Sequence, residues 1–135
     1  MEQRDFVLRE IEKIGAMLLA LIGKLKSVSP GIQFAVERVR IDSDLKSITG
    51  LSMEEILTLP VEDIASRLMG DSRFNDVNME RVAEIMALMA DHLPEIESEQ
   101  AMERELGILE LIEREGKTYS FERQSRIALL KEIME

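Results

Sequence analysis

At 135 residues with no cysteine, the chain is long enough for one self-supporting core and carries no disulfide framework, thiolate metal site or thiol nucleophile. Its net charge of −10 is unevenly placed: residues 51–116 hold five Lys/Arg against seventeen Asp/Glu, while residues 1–50 hold eight against seven and residues 117–135 four against three. An acidic middle of this kind repels phosphate backbones and anionic headgroups, so no nucleic-acid partner and no electrostatic membrane attachment are expected.

The first element contains IGAMLLALIG, Ile14 to Gly23, ten residues without a charge. A membrane-spanning helix needs about 20 apolar residues, so no membrane span is expected. A secretory signal wants a positive segment directly before its apolar core, whereas EQRDFVLREIEK has four acids and three bases, although Ser27-Val28-Ser29 imitates a cleavage site. The mature chain is expected to keep this segment and to be cytoplasmic. Val7, Ile11, Ile14, Leu18, Leu21 and Leu25 alternate steps of four and three, the seam along which one helix packs on another. Ala16, Ala20, Gly23 and Ser27 form a stripe of small residues that would admit a neighbouring backbone, and Leu8, Leu19 and Ile22 widen the apolar arc. A helix apolar nearly all round must be covered on several sides, by its own domain or by a second copy.

Ser29-Pro30-Gly31 ends that helix. A second follows from Ile32, with Ile32, Val36 and Val39 on one face, Phe34, Ile41, Leu45 and Ile48 offset around it, and a break at Asp42. Gly50 closes it in a left-handed conformation. In LSMEEI, Ser52 and Glu55 have the spacing of a capping box, and Leu51 and Ile56 that of a hydrophobic staple. Pro60 opens another short helix, PVEDIASRLM, with Glu62 and Asp63 in its positive first turn and Gly70 past its end. After a DSRFND loop, a helix from Asp76 to His92 carries Met79, Val82, Met86, Met89 and Leu93 on one face. The next, to Glu115, turns Met102, Leu106, Leu109 and Ile112 inward, and Gly116 stops it. Ser120 caps the last, which carries Phe121, Ile127, Leu130, Ile133 and Met134. Nothing alternates at period two over a strand's length, so residues 1–135 read as a single all-α domain of six to seven helices.

The segments RDFVLREIE, ITGLSMEEILTLPVEDI and GKTYSFER resemble an uncharacterised family of small bacterial all-helical proteins, a domain of unknown function similar to tetratricopeptide-like helical hairpins. The resemblance implies stacked antiparallel hairpins and no particular activity. Aligning Leu106-Gly107 with the Leu-Gly of a tetratricopeptide repeat leaves Glu103, Glu110, Arg123 and Arg126 where apolar or small residues belong. An irregular bundle or loose hairpin stack fits better than a regular superhelix.

Chemistry is sparse. His92 is the only histidine, read as a capping or surface residue at a helix C-terminus. DSRFNDVNMERV fails as a calcium loop, because Arg73, Asp76 and Val82 occupy the third, glycine and bidentate-acid positions. Glu54, Glu55, Glu95, Glu97, Glu99, Glu103 and Glu105 lie in polar surroundings where solvation is the default. Met79, Met86 and Met89 read as helix core ahead of an adaptable groove. The expectation is a protein-protein interaction or scaffold module, not an enzyme, with no cofactor and no metal. It is expected to form a homodimer through Leu8, Leu19, Ile22, Ile133 and Met134. A structural or regulatory subunit of a complex is the alternative, followed by an enzyme using acids in a helical cleft.

Overall fold

The computed structural model describes residues 2–135. They form seven helices: α1 (Glu2–Ser27), α2 (Ile32–Thr49), α3 (Met53–Thr58), α4 (Val61–Met69), α5 (Asp76–Ala90), α6 (Glu95–Glu115) and α7 (Phe121–Met134). No strand occurs among the described residues. The fold is all-α, as the periodicity requires.

α5 sits at the centre, packed between α1 and α6. α6 in turn carries α3, α4 and α7, and α2 lies against α1 and α3. Because α1 meets α5 across the intervening helices, the arrangement is an irregular bundle and not a stack in chain order. The core gathers Ile14, Leu18, Leu21 and Leu25 of α1, Met79, Val82, Ile85, Met86 and Met89 of α5, and Ile108, Leu109, Leu111 and Ile112 of α6. Each such side chain contributes roughly 1.5–3 kcal/mol when fully buried. The three methionines of α5 are therefore core, and Met102 and Leu106 pack half-buried at its edge.

Two readings of α1 need correction. Ile22 is buried within the chain's own core, only 4% exposed, because it lies one residue from Leu21 and four from Leu18 on an apolar arc wide enough to contact more than one helix. The small-residue stripe is also misplaced. Ala16, Ala20, Gly23 and Ser27 face solvent, and nothing approaches the position a Cβ would take at Gly23. The close approach is at Gly15, where a Cβ would press on the side chains of Arg81 and Asn78. Asn78 itself is buried, and its amide donates to the carbonyls of Ile11 (3.0 Å) and Arg73 (2.9 Å) while accepting from Arg81 (3.1 Å).

α2 is continuous through Asp42. Instead of breaking the helix, the Asp42 carboxylate accepts the Met53 N–H at 2.6 Å, satisfying one of the free donors at the start of α3. The rest of that start is the capping box: Ser52 Oγ accepts from the Glu55 N–H and Glu55 accepts from the Ser52 N–H, both at 3.1 Å. These Ser52 hydrogen bonds hold the Glu55 carboxyl below its ordinary value. The far end of this six-residue helix is closed by a buried cation, Arg104, which donates to the carbonyls of Ile56 (3.0 Å) and Leu59 (2.7 Å). Gly50 adopts the left-handed conformation at φ 79°. Pro60 stands one position earlier than expected, as the N-cap of α4.

α5 ends at Ala90, two residues short of His92. His92 is half-buried and stacks on Phe34 of α2, ring centroids 4.8 Å apart, so its role is packing between helices.

Candidate functional site

α7 is attached in an unusual way. Only Arg123 and Leu130 of its fourteen residues are buried. Ser120 caps it by accepting the Arg123 N–H at 3.1 Å. The Arg123 guanidinium then reaches three elements: Nε donates to Glu113 of α6, Nη1 to Glu80 of α5, and Nη2 to the Thr118 carbonyl. One turn on, Arg126 grips the buried Glu105 bidentately at 2.6 and 2.9 Å. Glu105 is thus an exception to the solvated acids of its run, and the two arginines that spoil the repeat consensus are what dock the helix.

The loop before α7 is fixed by a fourth carboxylate. Asp76 Oδ2 accepts from the Lys117 N–H (2.8 Å), the Thr118 N–H (3.0 Å) and the Thr118 hydroxyl (2.8 Å). Burial raises the Asp76 carboxyl, but these hydrogen bonds outweigh it and leave the group below its usual range. Glu113 is likewise lowered, first by the Arg123 hydrogen bond. Gly116 is required by contact, since a Cβ there would strike the Ile112 carbonyl and Asp76.

Between α5, α6 and α7 lies a cleft of about 250 Å³ bordered by Glu80, Glu84, Glu105, Arg123 and Arg126. As a helical cleft with acids it is the place where acid-base chemistry would sit. Of its carboxylates, Glu80 is held by Arg123 and Glu105 by Arg126, Glu84 meets Lys26 of α1 at 3.5 Å on the exposed side, and Glu122 stands exposed at the margin. Ion-paired acids of this kind are poor proton shuttles, and the geometry is that of a structural clasp. Among the described residues no group of three or more His, Asp or Glu is placed to hold a metal ion, and no helix is long and apolar enough to cross a membrane.

The second candidate is apolar. Leu8 and Leu19 of α1 and Ile133 and Met134 of α7 are exposed, and Ile22 is removed from the set by its burial. α1 packs chiefly on α5 and α7 chiefly on α6. Of the two apolar faces that the sequence places on α2, one is turned outward. Ile32, Val36 and Val39 of α2 are 85%, 69% and 77% exposed, while Phe34, Ile41, Leu45 and Ile48 take the core. The signal was side-chain size: of two apolar faces, the one with Phe and Leu fills the interior. On α7, Phe121 and Leu129 join Ile133 on the outside.

No family model, no curated protein and no solved structure matches the chain.

Proposed function

We propose that this protein is a protein-protein interaction or scaffold module that self-associates as a homodimer, acts in the cytoplasm without a cofactor, and belongs with the small bacterial helical proteins it resembles. The observation that carries the reading is the outward apolar surface of three helices: Leu8 and Leu19 on α1, Ile32, Val36 and Val39 on α2, Phe121, Leu129 and Ile133 on α7. Scattered exposed apolar residues are ordinary, but rows of them on helical faces are what a docking partner covers. The acids of the cleft add support, since Glu80 and Glu105 are engaged by the arginines that dock α7.

Sedimentation velocity and light scattering across the micromolar range test it. A mass of two chains that falls on dilution is expected. A protein that remains a single chain at high micromolar concentration overturns self-association, and the module would then have to act through a different protein.

A further inference from the structure

Two of the outward stripes differ in charge. On α2, Ile32, Val36 and Val39 follow one another at steps of four and three, so they share a face opposite the buried Phe34, Ile41 and Leu45. The rim of that face is basic, with Arg40 and Lys46 exposed. The acids Glu37 and Asp44 of α2 are turned toward α1, where both meet Lys24, at 3.8 and 3.6 Å.

On α7, Phe121, Ala128 and Leu129 lie on the side away from Leu130 and Arg123. The same side is acidic, with Glu132 in line with Phe121 and Ala128 and with Glu122 and Glu135 exposed beside it, and the one lysine of the helix is engaged by Glu110 at 3.4 Å. Neither Arg40 nor Glu132 has an ion-pair partner among the described residues. The stripes also agree in length. Ile32 to Val39 spans about 10 Å of helix and Phe121 to Leu129 about 12 Å.

We infer that the occupant of the α2 face is α7 of a second copy of this chain. The inference rests on the self-association proposed above and names its contact. Pairing α2 with α2 would set two basic rims against each other, and pairing α7 with α7 two acidic ones, whereas α2 on α7 joins apolar to apolar and opposite charge to opposite charge. Arg40 lies at the middle of α2 and Lys46 near its C-terminal end, while two of the three acids of α7, Glu132 and Glu135, lie at its end, which favours the two helices running in the same sense. A twofold dimer makes this contact twice.

Mixing two broken copies tests the pairing. Val36→Glu spoils only the α2 face and Leu129→Glu only the α7 face, and circular dichroism establishes that each remains folded. Each variant alone is expected to dissociate at least about tenfold more readily than the wild type. Their equimolar mixture is expected to regain a one-to-one complex, because an intact α2 face meets an intact α7 face. Where wild type associates and the mixture stays monomeric, the pairing is overturned while self-association stands; a wild type that is monomeric at high micromolar concentration overturns both. Should Leu129→Glu unfold, a charge exchange decides instead. Arg40→Glu and Glu132→Lys should each weaken association several-fold at low salt, and the double variant should restore it. Weakening that merely accumulates in the double variant overturns the pairing.

Discussion

α5 and α7 are of nearly equal length, fifteen and fourteen residues, yet they are held by opposite physics. α5 buries Met79, Val82, Ala83, Ile85, Met86 and Met89 between two neighbours. α7 buries one leucine and one arginine. Apolar burial is non-directional and indifferent to pH, so α5 tolerates small adjustments and fails only when the whole domain does. A guanidinium with three fixed acceptors is directional and depends on the charge of its partners. α7 is therefore the element that can leave without the rest, and the one whose docking solution conditions can tune.

The comparison is broken most forcefully at its apolar end. Met86→Ala, at a fully buried position, is expected to cost about 3 kcal/mol by leaving a cavity, seen by calorimetry as a melting temperature lower by about 10 °C. Met86→Leu, which conserves volume, should cost about 1 kcal/mol or less. Equal losses for the two would mean that packing at α5 is not the controlling term.

Arg123→Met comes next, at about 2 kcal/mol. The figure is below that of a fully buried pair, because Glu80 and Glu113 are 36% and 27% exposed at their side chains and regain water once the cation is gone. Amide exchange should quicken across residues 117–134 while α5 stays protected. Uniform quickening would show α7 to be part of the global unit.

Acid sharpens the contrast with a smaller effect, since a protonated carboxyl keeps part of its hydrogen bonding. Asp76 and Glu113 both have lowered folded values. Their contribution is therefore complete above the ordinary carboxylate range, near pH 5, and is lost as pH falls through the depressed folded values. Exchange measured from pH 6 down to pH 3 should show α7 and its preceding loop loosening before α5. An α7 that is no less protected at pH 3 would refute the assignment.

Lys131→Ala gives the smallest change, under about 0.5 kcal/mol, because the pair with Glu110 is exposed on both sides. A larger loss in thermal melts would mean that surface pairs share the docking of α7 with the buried arginines.

Much of the fold was legible because its signals are local. The Ser52 and Glu55 box, the left-handed Gly50 and the Ser120 cap each involve residues within a few positions of one another, and helical periodicity gave the all-α class. The signals that failed depend on residues distant in sequence. Arg123 finds Glu80 43 residues away, Arg126 finds Glu105 21 away, and Arg104 finds the end of α3; nothing in a local window marks an arginine as buried. The candidate surface was half legible for the same reason. Leu8, Leu19, Ile133 and Met134 are outside and Ile22 is inside, although all five read as apolar flank, because a helical arc does not reveal how many neighbours it meets. On α2 both faces are apolar, and the one that carries Phe34 and Leu45 turns inward while Ile32, Val36 and Val39 stay outside.

Asn78 acts on α1 as a detent acts on a sliding bolt. Sliding α1 one turn along α5, about 5.4 Å, would carry the Ile11 carbonyl away from the Asn78 amide and strand a buried donor at a cost of about 1–3 kcal/mol. The leucines and isoleucines beneath would accept such a slip more readily, since neighbouring turns offer similar apolar contacts. One amide thus sets the axial register of a 26-residue helix, and with it the height at which Leu8 and Leu19 stand on the outer surface.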